Sequence, residues 1–129
     1  MRLLLDTHIF LWYISGDNRL QPSVRDEISD TRNDVYLSVT SLWESLIKFQ
    51  LGRLPLPANP QEYLPLQREK HGISTLPLDE ASVANLIKLP NLHRDPFDRM
   101  LICQAMEHDL TIVTLDNQIC AYTDNVLRC

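Results

Sequence analysis

Met1-Arg2-Leu3-Leu4-Leu5-Asp6-Thr7-His8-Ile9-Phe10-Leu11-Trp12 opens the chain with two structural periods joined at one carboxylate. Three consecutive leucines read as a short strand buried on both faces, and the apolar run from Ile9 to Trp12 behind Thr7 reads as a helix entering the same core. Asp6 stands where one becomes the other. In parallel α/β proteins the carboxyl end of a strand, next to the amino end of the following helix, is where ligands and chemistry collect. A carboxylate placed there is a helix cap or a working group.

The same order recurs along the chain. Asp34 to Val39 reads as a second strand, followed by Thr40-Ser41 and a helical segment from Leu42 to Leu51 that ends at Gly52. Ile73 to Leu78 and a capped helix from Asp79 to Ile87 form a further pair. Asp95 caps a long helix that has Pro96 at its first position and runs to about His108. The β-branched strand Thr111 to Thr114 follows, then an Asp116-Asn117 turn, a helical turn from Gln118 to Tyr122 and a short strand from Val126 to Arg128. A surface helix starts at Pro22, and another runs from Pro60 toward His71 with Pro65 inside it. The proline-spaced Leu54 to Pro60 leads from the Leu42 helix into the latter, and its Leu54 to Pro57 stretch is a candidate docking edge. This alternation predicts an α/β protein, a single domain over residues 1–129 with a parallel sheet flanked by helices on both faces.

A chain of 129 residues suits one domain with a core that needs no covalent staples. Its three cysteines are odd in number and show no Cys-x-x-Cys spacing, which argues against a disulfide framework and a structural zinc site and for a reducing, cytoplasmic location. The amino terminus lacks the pattern of a signal peptide, and no segment reaches transmembrane length. The formal net charge of −5 speaks against binding nucleic acid by bulk electrostatics. A polyanionic partner would require a local reversal of sign, which a divalent metal on clustered carboxylates supplies.

Four carboxylates stand at equivalent places: Asp6, Glu44, Asp98 and Asp116. Each has an ordinary structural explanation. Asp6 or Thr7 caps a helix, Ser41-Leu42-Trp43-Glu44 matches a capping box with Glu44 also spaced to pair with Lys48, Asp98 favours the positive end of a helix dipole, and Asp116 suits a turn. Helix geometry shifts the balance for Asp98. At about 100° per residue, Phe97, Leu101, Ala105 and Ile102 lie at about 0°, 40°, 80° and 140°, and Asp98 at about 100° falls inside that apolar stripe. Glu44 reads as a flank residue of a helix whose buried side is Leu42, Trp43, Leu46, Ile47 and Phe49. With parallel strands, all four acids fall in one crevice at one edge of the sheet. Like charges so close raise one another's pKa unless a cation sits between them, and an all-oxygen set selects Mg²⁺ or Mn²⁺ over zinc. His8, His71, His93 and His108 show no metal-ligand spacing and read as surface or loop residues.

Leu4-Leu5-Asp6-Thr7-His8, Ser41-Leu42-Trp43-Glu44, His93-Arg94-Asp95-Pro96-Phe97-Asp98-Arg99-Met100-Leu101-Ile102 and Ile112-Val113-Thr114-Leu115-Asp116 together resemble, in order, the motifs of PIN-domain proteins. They are most similar to the VapC-type toxins of bacterial toxin–antitoxin pairs. The resemblance implies a parallel sheet of about five strands, an acidic pocket for Mg²⁺ or Mn²⁺, and RNA as substrate. Carried over by position, Asp6, Glu44 and Asp98 match the principal metal-binding acids and Asp116 a fourth, with Thr7 and Thr114 orienting carboxylates or water. Asp95 competes with Asp98 for the third position. Ser45 stands where a small apolar residue is frequent, and Asp109 where glycine often precedes the last strand; both are scaffold departures. A cognate antitoxin protein and homodimerisation are the partners so implied.

The implied reaction is hydrolysis of an RNA phosphodiester by a metal-activated water, leaving 5′-phosphate and 3′-hydroxyl ends. Arg94 and Arg99, beside the acidic loop, are candidate phosphate contacts. Two alternatives compete. The strand-end Asp6 superficially suits a phosphomonoesterase of the haloacid-dehalogenase kind, although that class wants an aspartate where His8 stands. The other is a PIN-like binding module without catalysis, which would not require Asp98 on an apolar face.

Overall fold

The computed structural model describes residues 1–91, 95–122 and 125–128. In chain order these form β1 (Arg2–Leu5), α1 (Thr7–Ser15), α2 (Pro22–Ser29), β2 (Asp34–Ser38), α3 (Val39–Gln50), α4 (Pro60–Lys70), β3 (Ser74–Leu76) and α5 (Glu80–Ala84), which continues as a 3-10 turn, Asn85–Lys88. Then come α6 (Pro96–His108), β4 (Thr111–Thr114), α7 (Asn117–Cys120) and β5 (Val126–Arg128). The five strands make one sheet in the order β3-β2-β1-β4-β5, and every pairing is parallel. This is the α/β architecture that the strand–helix alternation predicts. Among the described residues no helix is long and apolar enough to cross a membrane.

The three leucines of β1 occupy the middle of this sheet and are each 0 % exposed. Because successive strand side chains point to opposite faces, they divide between two cores. Leu3 and Leu5 pack with Ile9, Phe10, Val24 and Leu64 on one side, and Leu4 packs with Leu101, Ile102, Ile112 and Ile119 on the other. Full burial of a leucine stabilises by about 1.5–3 kcal/mol, so this short strand anchors both layers.

From β1 the chain builds outward through β2 to β3, then crosses back to place β4 and β5 on the other side. The direction of winding therefore reverses between β1 and β4, which is the switch point where open parallel sheets leave a crevice. Leu5 pairs with Val113, and the Asp6 N–H donates to the Val113 carbonyl at 3.0 Å. Asp6 and Thr114 consequently emerge side by side at that crevice.

Two local expectations change. Helix α3 begins at Val39, three residues before Leu42, because Ser38 is its N-cap: the Ser38 hydroxyl accepts from the Thr40 N–H at 3.0 Å and donates to Gln104 Oε1 at 2.6 Å. Ser41 and Glu44 are therefore not a capping box, and Glu44 lies in the second helical turn. The buried side of α3 is also polar. Thr40, Ser41, Glu44 and Ser45 are buried, whereas Leu42, Leu46, Ile47 and Phe49 are half-buried and Trp43 is 59 % exposed against the edge of the Phe97 ring. Glu44 faces inward, not along the flank.

Candidate functional site

Asp6 is held from two sides. Its Oδ1 accepts from the Thr7 N–H at 2.7 Å and so caps α1, while its Oδ2 accepts from the Thr114 hydroxyl at 2.7 Å. The same Thr114 oxygen accepts from the Asp116 N–H at 2.9 Å, and Asp116 Oδ1 caps α7 by accepting from the Gln118 N–H at 2.8 Å. Thr7 reaches the other way: its hydroxyl donates to Glu44 Oε1 at 2.8 Å. The second Glu44 oxygen, Oε2, accepts from Lys48 Nζ at 2.6 Å, one helical turn further along α3. Helix α6 enters from below the crevice with Asp95 as its N-cap, accepting from the Phe97 N–H at 2.9 Å, and with Asp98 in its first turn.

These side chains surround a cleft of about 500 Å³ whose lining includes Asp6, Glu44, Asp95, Asp98 and Asp116, together with Lys48 and Arg19. Asp6, Glu44 and Asp98 are 7 %, 3 % and 8 % exposed, which fulfils the inference from the apolar stripe of α6. Burial is the first cause that raises the Asp6 pKa above its ordinary value, and the neighbouring Glu44 charge adds to it; the bonds from Thr114 and Thr7, and His8 nearby, act in the opposite direction. For Lys48, burial lowers the pKa, but the bond to Glu44 and the charges of Glu44, Asp95 and Asp98 outweigh it, and the ammonium is held above its ordinary value.

Five carboxylates thus share the cleft with two cations, Lys48 and Arg19, and oxygen donors outnumber the nitrogen donor His8 on the same wall. Hard divalent cations suit such a set, whereas zinc favours nitrogen and sulfur. As the side chains stand, no three acids, histidines or cysteines among the described residues share a single ion-sized position. Lys48 lines the cleft beside these acids and pairs with Glu44 Oε2 at 2.6 Å.

The structure brings Asp6, Thr7, Glu44, Asp98, Thr114 and Asp116 to this one place. Arg99 does not line the cleft, and its buried Nε has no hydrogen-bond partner among the described residues. Arg94 lies outside the described residues. Among the lining residues, His8, Trp12 and Arg19 were not singled out from the sequence as parts of the site. His8 and Trp12 are four apart on α1, so their shared face was readable. Arg19 had no such signal. It arrives because Gly16, at φ 67°, ends α1 and turns the chain back, leaving the Arg19 guanidinium 4.9 Å from the centre of the Trp12 ring.

Comparison with known proteins extends this picture. Ribonuclease VapC16 of Mycobacterium tuberculosis is 38% identical over 58 residues, a match covering 45% of this chain and 41% of that protein, so the match spans less than half the length of this curated relative. VapBC2 from Rickettsia felis, bound to a DNA fragment from its promoter, superposes with a TM-score of 0.73 at 14% identity, covering 100% of this chain and 98% of that chain. For VapBC-1 from nontypeable Haemophilus influenzae the TM-score is 0.72 at 18% identity, with 100% and 97% covered. FitAcB from Neisseria gonorrhoeae gives 0.60 at 24% identity, with 98% and 95% covered. These superpositions establish the common fold. The profile of the PIN domain matches residues 3–125, almost the entire sequence; with the five-stranded parallel sheet and the acids gathered at its switch point, the chain belongs to the PIN domain family.

Proposed function

We propose that this protein is a metal-dependent endoribonuclease and the toxin of a toxin–antitoxin pair, with residues 1–129 forming its single nuclease domain. The observation that carries the reading is the convergence of Asp6, Glu44, Asp98 and Asp116 on one cleft of a PIN domain. The partial match to a ribonuclease of the VapC class supports RNA as the substrate. Solved structures of this fold include VapBC complexes, which supports a cognate antitoxin as partner, and a homodimer is the assembly we assign.

Asp6, Glu44, Asp98 and Asp116 are the residues that would hold Mg²⁺ or Mn²⁺. Bound there, the cation supplies a lowered pKa for water and neutralises charge on the leaving oxygen. The protein's own part is positional. The Thr114 hydroxyl and Thr7 N–H aim the Asp6 carboxylate, and the Thr7 hydroxyl aims Glu44, so neither acid must be ordered when substrate arrives. Arg19, on the cleft wall, joins Arg94 as a phosphate contact, while Arg99, which does not line the cleft, is left out of that role. Water rather than a ribose 2′-hydroxyl is the attacking group, so the products carry 5′-phosphate and 3′-hydroxyl ends.

The test is cleavage of a structured RNA pool by purified, antitoxin-free protein in Mn²⁺ or Mg²⁺, with EDTA and an Asp98→Asn variant alongside. Cleavage that needs the metal, leaves 5′-phosphates and disappears in a folded variant supports the assignment. Cyclic 2′,3′-phosphate ends, or equal activity in the variant, reject it. Hydrolysis confined to small phosphate monoesters would instead favour a haloacid-dehalogenase-like reaction.

A further inference from the structure

A short ion contact in the cleft is made by a side chain for which the proposed hydrolysis has no use. Lys48 Nζ lies 2.6 Å from Glu44 Oε2, and Glu44 is 3 % exposed. The other Glu44 oxygen is already taken by the Thr7 hydroxyl at 2.8 Å. Both oxygens of this buried acid are therefore engaged, one by a neutral donor fixed in α1 and one by a flexible ammonium. The Lys48 side chain is 36 % exposed, so its head has a route to water that Thr7 lacks. Asp95 and Asp98 act electrostatically on the same ammonium, and both line the cleft together with Glu44 and Lys48. A divalent cation ligated by Glu44 would need both the position and the charge of that ammonium.

We propose that Lys48 is a resident counter-cation of the acidic cleft, and that its ammonium and a divalent metal exclude one another at Glu44 Oε2. Resting on the metal-dependent reading above, this makes Lys48 a positioning residue. Without metal it offsets the repulsion among the buried acids; as metal loads, it is displaced toward solvent while Thr7 keeps Glu44 aimed. The exchange raises the concentration of divalent ion needed to load the site, because the metal must displace the ammonium from Glu44 Oε2.

The sign of the effect separates this role from mere support of the fold, since a lost structural contact weakens metal binding and a lost competitor strengthens it. Mn²⁺ binding is measured by calorimetry, without RNA, for the wild type, Lys48→Met and Lys48→Arg. Lys48→Met should bind Mn²⁺ about tenfold tighter, because a full positive charge has left the site, and Lys48→Arg should stay close to wild type. Equal or weaker binding by Lys48→Met overturns the proposal. A second measurement needs no variant: reductive methylation of the wild type, read by mass spectrometry, with Lys70 and Lys88 as internal references. Saturating Mg²⁺ should raise labelling of Lys48 several-fold and leave the other two unchanged; unchanged Lys48 labelling also overturns the proposal. A wild type that binds no divalent metal removes the nuclease reading and this one together, whereas binding with no response at Lys48 removes this one alone.

Discussion

Replacing Thr114 with valine tests whether the acidic site and the fold depend on the same atoms. Thr114 is 0 % exposed at the end of β4, and its hydroxyl donates to Asp6 Oδ2 at 2.7 Å while accepting from the Asp116 N–H at 2.9 Å. Valine keeps the shape, so no cavity term enters. A hydroxyl–carboxylate bond contributes about 1.5–3 kcal/mol, and the partly buried Asp116 N–H loses its acceptor at a cost of about 1 kcal/mol. Added methyl burial offsets about 1 kcal/mol, leaving a net loss of about 1.5–3 kcal/mol. With 129 residues, the unfolding entropy near the midpoint is about 0.27 kcal/mol/K, so Tm should fall by about 6–11 °C. Thr114→Ser, which retains the hydroxyl, should lose only about 1 kcal/mol. The bond from Thr114 is also the largest influence that lowers the Asp6 pKa, so the valine variant has this pKa raised further. An acid whose folded pKa is raised costs stability when ionised, and that cost disappears as pH falls through the folded pKa toward the ordinary value of 3.8. The deficit of Thr114→Val should therefore shrink between pH 7.5 and pH 5. Circular-dichroism melts in EDTA at both pH values decide the matter: a deficit under about 4 °C, or one that widens on acidification, refutes the reasoning.

Two other substitutions probe the same logic. Asp6→Asn should abolish cleavage yet stabilise the metal-free protein near pH 8, because it removes a buried carboxylate that the folded state disfavours; the gain should fade as pH falls toward the ordinary value of 3.8, and melts showing a loss at pH 8 would contradict this. Gln104→Leu should lower stability by about 2–3 kcal/mol, since the buried Gln104 amide receives the Ser38 hydroxyl at 2.6 Å and donates to the Pro77 carbonyl at 3.2 Å; an unchanged urea midpoint would show that these bonds contribute little.

How much was legible in the sequence depended on whether a local pattern had one physical cause. The run Leu3 to Leu5 could only be a strand buried on both faces, and Asp98 inside an apolar stripe could only be a buried acid, because both follow from fixed side-chain periods. Glu44 was harder. Helix α3 is amphipathic, but its buried side is polar and its apolar residues stay half-exposed, so assigning the apolar side to the interior left Glu44 on the flank. The start of α3 was missed for a related reason: Ser38 reads as a strand residue, yet its hydroxyl caps the helix by accepting from the Thr40 N–H while donating to Gln104, 66 positions away. Strand order and the place of Arg19 in the cleft likewise rest on long-range packing and a glycine turn, neither of which leaves a periodic trace.

The ordinary and the functional readings of the acids turn out not to compete. A carboxylate has two oxygens and about four lone-pair sites, and a helix cap uses one of them. Asp6, Asp95 and Asp116 each cap a helix through Oδ1, with α1, α6 and α7 all starting at the cleft rim. Capping fixes the side-chain rotamer, so the second oxygen is aimed by the fold itself. Thr7 extends the principle across elements, since its N–H serves Asp6 and its hydroxyl serves Glu44, tying the acids of β1 and α3 through one residue. The entropy of ordering the acids is therefore spent during folding, before any cation or substrate arrives. What folding cannot remove is their mutual repulsion, which is why the raised pKa of Asp6 and the ammonium of Lys48 at Glu44 occur in the same cleft. A site built from helix caps is rigid by construction and unfavourable in charge by the same construction, and it is relieved by protons, by Lys48 or by a divalent cation.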